Sequence, residues 1–504
     1  MNRAITRSIV ASLGLLAAAN LQADVRLPAL FSQHMVLQRD AQAPVWGWAE
    51  PGEQVTVAIG GQTQTTRADA HGKWIVKLSN LQAGGPQKLT VQGKNSLTVD
   101  DVLVGEVWLG SGQSNMGLRV SGAQNFEEEQ KNADLPRLRV FTVTSGPATT
   151  PQDDCVGQWV VCAPQTVGEF SATLFFFGRE VYKSLDVPVG LINSSVGGTP
   201  IESWIGADVQ HAMPELKPFF EAAAHDEKAF DAVAAKAKYE KDLARWKEVA
   251  KKARKGGRAV PRPPQDPVAM RERKGNVGGL FNGKIAPLIP YAIRGAVWYQ
   301  GEANTRAEKA QFYQYQLPLL VTDWRARWGS EFPFAWVQLP NFTAGEGWCV
   351  VREAMLKSLK VPNTGMAVAI DVGEPKNIHP KNKQEVGRRL GMWALATVYG
   401  KKIASSGPLP AAHTVRGHEM VVSFSHADGG LVAKGGDLKG FVIAGADGQW
   451  KPAQSRIEGN DVVVSSADVP QPVAVRYAWS DNPDCNLYNA AGLPASPFRT
   501  DDAK

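Results

Sequence analysis

Of the eight histidines in this 504-residue chain, one stands where a catalytic base would have to be. His34 and His71 fall in a region of short alternating strand patterns. His211 and His225 fall in an Ala/Lys/Glu-rich helical stretch, and His413, His418 and His426 in a second strand-rich region. Only His379 lies among alternating strand and helix patterns. It sits on the loop Asp371–Pro380, between an expected strand ending at Ile370 and an expected helix beginning near Lys383. Open α/β folds gather their sites in loops at the carboxyl ends of the strands, and imidazole changes charge near neutral pH, as a general base must. A hydroxyl to match it follows the expected strand Val102–Leu109, in Gly110-Ser-Gly-Gln-Ser114-Asn-Met116. Glycines there permit a tight turn that lifts Ser114 above the sheet edge. A phosphate-binding loop would need a lysine, and a dinucleotide fingerprint a third glycine; both are missing.

A serine paired with a histidine is an acyl-transfer arrangement, and acyl transfer needs donors for a developing oxyanion. Two stretches can supply them. Asn193-Ser-Ser-Val-Gly197-Gly198-Thr-Pro follows an expected strand, Val187–Ile192, and exposes backbone N–H groups. Trp298-Tyr-Gln300-Gly-Glu302-Ala-Asn304 follows Gly295–Tyr299 and offers a side-chain amide. With Ser114 and His379 these stretches occupy four strand ends of one expected sheet. The reading therefore requires Ser114 and His379 to meet at the same rim of that sheet.

The elements that would hold these residues are legible around them. Strand-like runs at Val102–Leu109, Val187–Ile192, Gly295–Tyr299, Phe334–Gln338 and Met366–Ile370 alternate with helical patterns such as Ala172–Lys183 and Gln384–Tyr399, the mark of a parallel sheet covered by helices. Residues 24–100 instead alternate apolar and polar positions between turn signals, with short strands at Gln54–Ile59, Trp74–Leu78 and Lys88–Gln92, and suggest a β-sandwich. Residues 206–272 form a helical insertion between 101–205 and 273–400. From 401 to 504 short strands return, including Glu419–Ser425, Phe441–Ile443, Val462–Ser465 and Val473–Ala478.

Four motifs give the chain a family likeness. Gly105-Glu-Val-Trp-Leu-Gly-Ser-Gly-Gln-Ser-Asn-Met116, Gly197-Gly-Thr-Pro-Ile-Glu-Ser-Trp204, Trp298-Tyr-Gln-Gly-Glu-Ala-Asn304 and Asn377-Ile-His-Pro380 resemble the motif set of sialate O-acetylesterases and related bacterial carbohydrate acetylesterases, within the SGNH-hydrolase superfamily. Leu27–Met35 also matches the start of such proteins. The resemblance implies a three-layer α/β/α (flavodoxin-like) catalytic domain with Ser114 as nucleophile and His379 as base. It implies an oxyanion hole from the Ser114 N–H, a Gly197 or Gly198 N–H, and Gln300, which stands where many superfamily members use Asn. Neighbouring motif side chains, Gln113, Asn115, Trp298, Glu302 and Asn304, are assigned to the substrate. One departure stands out. The superfamily usually carries Asp three residues before the histidine, and here that position is Lys376. Asn377 cannot bear the charge, so Asp371, Glu374 or a Ser–His dyad without an acid remain as alternatives.

The implied activity is deacetylation of a sugar, either O-acetylated sialic acid or an acetylated hemicellulose such as xyloglucan, with no metal or organic cofactor. A carbohydrate-binding protein on a retired esterase scaffold is the alternative. Fifteen tryptophans suit either, since sugar faces present C–H groups to aromatic rings. The net charge of +6 is local: residues 236–262 carry eleven Lys/Arg against three Asp/Glu, which reads as a solvated helix face and not as a nucleic-acid-binding one. Arg3 and Arg7, the apolar run Ile9–Ala19 and Leu21-Gln22-Ala23 read as an export signal, with the mature chain starting near Asp24. That run is shorter than the ~20 residues a bilayer span needs, so the expected location is periplasmic or secreted, without a membrane span. Four cysteines make no disulfide framework, although Cys155 and Cys162 flank a short β-like stretch and could pair; Cys349 and Cys485 are left open. Oligomeric state has no signature in the sequence.

Overall fold

Largely buried strands form the centre of the computed structural model, which describes residues 24–501 apart from 262 and 275. The expected export signal over residues 1–23 lies outside the described residues. Seven strands make the central sheet: β1 (Ser96–Gly112), β2 (Leu135–Thr142), β3 (Trp159–Cys162), β4 (Val189–Ser195), β5 (Gly295–Tyr299), β6 (Phe334–Gln338) and β7 (Thr364–Val368). Their spatial order is β7-β6-β5-β1-β4-β2-β3, parallel except for β3. Both faces are covered, so the strands read as near-continuous apolar runs. Alternate residues split between two cores. Trp298, Trp336 and Met366 point to one side, against α2 (Tyr313–Trp328) and α3 (Gly347–Lys357); Val297, Ala335 and Ala367 point to the other, against α1 (Ala172–Leu185) and α4 (Lys383–Thr397). This is the three-layer α/β/α SGNH-hydrolase arrangement expected from the sequence.

The chain starts this sheet in the middle, at β1, and adds β4 and β5 on its two sides. That reversal opens a crevice at the carboxyl ends of these three strands, the place where α/β sheets bind ligands. β1 is long because it serves two layers of structure. Its first half pairs with Gly84–Gln92 of the N-terminal β-region and runs unbroken through residue 100 into the central sheet. In that β-region, Ala43–Trp48 pairs with Lys73–Leu78, and Gln54–Ile59 with Gln62–Arg67; inward positions such as Val55, Val57 and Ile59 are buried.

Between β4 and β5 run the helices Lys217–Ala229, Ala232–Lys255 and Pro267–Lys274, the second buried only at Ala250. At the end of the chain, two four-stranded sheets enclose Val422, Ile443, Val462 and Val475. This β-region is tied to the central layers by the Arg352 side chain, fully buried, which donates to the carbonyls of Leu339 and Pro340 and of Ser480 and Asp481. Among the described residues no helix is long and apolar enough to cross a membrane. The pairing considered for Cys155 and Cys162 is not formed: all four cysteines are free thiols. Cys155 packs into the core on one face of the sheet and Cys162 into the other, and burial pushes both thiols up to about 12.

Candidate active site

β1 ends at Gly112, whose φ of 135° belongs to a region that L side chains rarely adopt. A Cβ there would stand 2.2 Å from the Tyr299 carbonyl oxygen at the end of β5, so only glycine lets the two strand ends approach. Gln113 N–H then donates to that same carbonyl at 2.9 Å, and the chain turns into one helical turn opened by Ser114. His379 comes from the loop between β7 and α4. Its Nε2 lies 2.7 Å from Ser114 Oγ, within the reach that proton transfer needs.

The histidine loop is shaped by Asn377 and Glu374. Asn377 Nδ2 donates to the His379 carbonyl at 2.8 Å, and its Oδ1 accepts from His379 N–H at 3.1 Å. Glu374 accepts from Lys381 N–H at 2.9 Å and from Asn377 Nδ2 at 3.1 Å. The Lys381 N–H, more than the nearby lysines, holds the Glu374 carboxyl below its ordinary range. Asp371 is engaged elsewhere: Arg389 donates to both its oxygens at 2.6 and 2.8 Å, and the Tyr488 hydroxyl donates at 3.0 Å. Burial alone would raise the Asp371 carboxyl, but Arg389 outweighs it and holds it low.

Beneath the Ser114–His379 pair lies a cluster of buried polar side chains. Asn115 Nδ2 donates to Glu302 Oε1 at 2.5 Å and to the Ile378 carbonyl at 2.9 Å; Asn115 Oδ1 accepts from Lys383 Nζ at 2.6 Å. Burial raises the Glu302 carboxyl, an effect that Asn115 and Lys383 only partly offset. Burial likewise pushes the Lys383 ammonium down to about 7, against the pull of Glu302 and Glu374.

Several residues assigned to substrate or oxyanion are placed differently. Gln300 is fully buried; its amide N–H groups face Asn304 Oδ1 at 2.7 Å, Thr199 O at 3.2 Å and Gln113 Oε1 at 3.3 Å, and its Oε1 accepts from Tyr313 at 3.0 Å. Its donors are spent on the scaffold, so it is not an open oxyanion donor. Asn304 is buried too, donating to Glu202 Oε2 at 2.9 Å and accepting from Ile201 N–H at 3.0 Å. Trp298 offers no face to a sugar, being packed edge-on against Trp204 and Trp324. Gln113, Asn115 and Glu302 likewise sit below the surface. The physical reason is common to all: these motifs knit strand ends to one another through buried hydrogen bonds.

Above them opens a cavity of about 430 Å³ bordered by Ser114, His379 and Gly197, with Thr142, Asn193 and Ser195 on one wall and Leu118, Arg119 and Glu169 on another. Gly197 approaches closely: a Cβ on it would lie 3.3 Å from Ser114 Cβ. Gly198, at φ 72°, makes the turn behind it. Arg119 and Glu169 form an ion pair at 2.6 Å on the rim. The sequence reading missed Lys383, Arg119 and Glu169. A signal existed for Lys383, which falls on the buried stripe Lys383, Val386, Gly387, Leu390 and Ala394 of α4; none existed for the rim pair. Among the described residues no group of three or more His, Cys, Asp or Glu is placed to hold a metal ion.

Comparison with known proteins adds the following. A family model described as a carbohydrate esterase, sialic acid-specific acetylesterase, matches residues 283–397. The sialate O-acetylesterases of Homo sapiens and Mus musculus are each 30% identical to this chain, covering 94% of it and 92% and 94% of themselves respectively. The crystal structure of a carbohydrate acetylesterase from Xanthomonas citri matches with a TM-score of 0.81 at 36% identity, covering 95% of this chain and 100% of its own.

Proposed function

The chain belongs to the sialate O-acetylesterase family of carbohydrate esterases, and on that premise we propose that it is a serine esterase releasing acetate from O-acetylated sugars through an acetyl-serine intermediate. The observation that carries this reading is the 2.7 Å contact between Ser114 Oγ and His379 Nε2 at the floor of an open cavity. His379 takes the Ser114 proton as Oγ attacks the acetyl carbonyl. The tetrahedral oxyanion is met by the backbone N–H groups of Ser114 and Gly197. As it collapses, the C–O bond to the sugar breaks and His379 returns the proton to the leaving alkoxide. Water, deprotonated by His379, then attacks acetyl-Ser114, releasing acetate and restoring the hydroxyl.

Glu374 supports His379 through the loop: its carboxylate fixes Asn377 and Lys381 on either side of the imidazole. Asp371 serves the joint between the central layers and the C-terminal β-region, through Arg389 and Tyr488. Thr142, Asn193 and Ser195 give the cavity wall hydroxyl and amide groups of the kind that bind sugar hydroxyls. Acetylated sialosides and acetylated hemicellulose oligosaccharides are the two substrate classes proposed for this site. The n-region and apolar run of residues 1–23 support an exported enzyme.

The test is release of p-nitrophenol from p-nitrophenyl acetate, and of acetate from a panel of acetylated sialosides and hemicellulose oligosaccharides, by the wild type and by Ser114→Ala. Hydrolysis by the wild type that disappears in the variant is the expected result. Near-full activity in Ser114→Ala would reject the assignment.

A further inference from the structure

Lys383, Asn115 and Glu302 are buried polar groups that do not line the cavity and take no part in the proton transfers between Ser114 and His379. Asn115 is fully buried, as is Lys383, and Glu302 is 8% exposed. The three sit where the nucleophile turn, the end of β5 and the histidine loop converge. The orientation of the Asn115 amide is dictated by its neighbours' chemistry. An ammonium only donates, so Lys383 Nζ at 2.6 Å must face Oδ1. The Ile378 carbonyl accepts, as does the Glu302 carboxylate, so both must face Nδ2. The main-chain carbonyl of the same residue accepts from Thr173 Oγ1 of α1 at 3.0 Å, which fixes the turn from below. Ile378 immediately precedes His379 and Asn115 immediately follows Ser114. The amide is thus a direct tie between the two reacting side chains' backbones.

We propose that Lys383 and Glu302 are positioning residues for the esterase reaction, a buried charge pair that locks the Asn115 amide in the one orientation that ties the histidine loop to the nucleophile turn. The inference rests on the serine-esterase reading above. The groups facing Lys383 are Glu302 and the Tyr299 ring from the end of β5, Glu374 from the histidine loop, and Asn115 itself. Removing the ammonium leaves the Glu302 carboxylate buried without its counter-charge and leaves Asn115 Oδ1 without its donor. Nδ2 still faces Glu302 and the Ile378 carbonyl, but Oδ1 is no longer anchored, so the amide can shift and the Ile378 tie loosens. A displacement of His379 by an ångström suffices to cost about 10²-fold in turnover. Because neither side chain borders the cavity, substrate affinity is untouched.

The experiment compares the full-length Lys383→Met, Glu302→Gln and double variants with wild type and Ser114→Ala, using p-nitrophenyl acetate at about pH 6.5, below the value of about 7 at which Lys383 gives up its proton, with circular dichroism to establish folding. Lys383→Met is expected to lower kcat about 10²-fold while KM stays within roughly threefold. In the double variant no charge is left unpaired, and the carboxamide that replaces the Glu302 carboxylate can still accept from Asn115. It is expected to recover at least about tenfold over Lys383→Met. A folded Lys383→Met enzyme with wild-type kcat overturns the proposal, and so does a double variant no faster than the single one. If Lys383→Met does not fold, Glu302→Gln decides: it keeps the shape of the site, and an unchanged kcat overturns the proposal while a roughly tenfold loss at constant KM supports it. Activity remaining in Ser114→Ala would instead remove the reading on which the proposal stands, so the two failures are distinct.

Discussion

His379 Nε2 lies 2.7 Å from Ser114 Oγ although 265 residues separate them in the chain. Ser114 follows the central strand β1, whereas the histidine loop follows the edge strand β7, with β5 and β6 between them. The loop must therefore reach back across two strand ends, and its length and internal bonding are what allow it. Asn377 bonds both the N–H and the carbonyl of His379, and the Ile378 carbonyl is held by Asn115. The contact is thus the product of a braced loop meeting a braced turn.

A hydroxyl and an imidazole that act as one unit lose their effect together. Ser114→Ala is expected to lower kcat by several orders of magnitude, roughly 10⁶ if the site behaves like other serine hydrolases. His379→Ala should cost about as much, and the double variant little more than either. Steady-state kinetics on p-nitrophenyl acetate give all three numbers. Losses that multiplied in the double variant would show that the two residues act separately.

The two carboxylates near His379 separate by what they bond. Glu374→Ala removes the acceptor of both Asn377 and Lys381 N–H, and kcat is expected to fall about 10²-fold with little change in stability. Asp371→Asn instead leaves the Arg389 guanidinium, 5% exposed, with Glu385 as its remaining counter-charge, at a cost of roughly 2 kcal/mol in unfolding free energy, with kcat per folded molecule close to wild type. Because the Asp371 carboxyl is held low, its contribution is present above the ordinary carboxylate range and fades as pH falls through its depressed folded value. Chemical denaturation and kinetics on both variants check the pattern. A loss near 10⁴ in kcat for Asp371→Asn would make Asp371 the triad acid.

How much of this the sequence carried follows from the range of the interactions. β5 and β6 match the expected Gly295–Tyr299 and Phe334–Gln338 residue for residue, because a strand buried on both faces is an unbroken apolar run. α2 escapes a reading of the sequence: Pro318 lies within it, and a proline inside a helix forfeits a main-chain hydrogen bond and so reads as a breaker. The motifs located the site but not the depth of their side chains. Trp298, Gln300 and Asn304 look like ligand-binding residues in one dimension, and only the packing of Trp204, Trp324 and Tyr313 over them turns them into scaffold. The partner of Asp371, Tyr488, comes from the C-terminal β-region, and no local pattern announces a contact over 117 residues.

Lys383 also makes stability depend on pH, in the same direction as Asp371 but across a more alkaline window. Burial pushes its ammonium from 10.5 down to about 7. Between those values the unfolded chain holds a proton that the folded one has released, so stability rises with pH across that window, by at most about 1.4 kcal/mol per unit. The burial cost is largest below pH 7. Unfolding free energies measured from pH 6 to 10 should show this slope in the wild type and lose it in the Lys383→Met/Glu302→Gln variant. Parallel curves for the two proteins would contradict it.

The rim of the cavity makes a prediction about substrate charge. Arg119 and Glu169 pair at 2.6 Å, with side chains 63% and 67% exposed, so the guanidinium that an anionic sugar would seek is already met by a carboxylate. A sialoside brings its own carboxylate and must compete with Glu169, whereas a neutral acetylated hexose or pentose must not. Glu169→Gln is therefore expected to raise kcat/KM for an O-acetylated sialoside while leaving that for a neutral acetylated oligosaccharide unchanged. At this exposure the effect is small, about two- to fivefold at low salt, because solvent-exposed pairs are worth only 0.2–1 kcal/mol. It should shrink further as ionic strength rises, since the interaction is screened over about 10 Å at 0.1 M salt. Arg119→Gln should act in the opposite sense, leaving Glu169 unopposed and depressing the sialoside alone. Acetate release from matched neutral and anionic substrates at two salt concentrations measures both variants. Equal changes on the two substrates would mean that the pair holds the rim in shape and does not read charge.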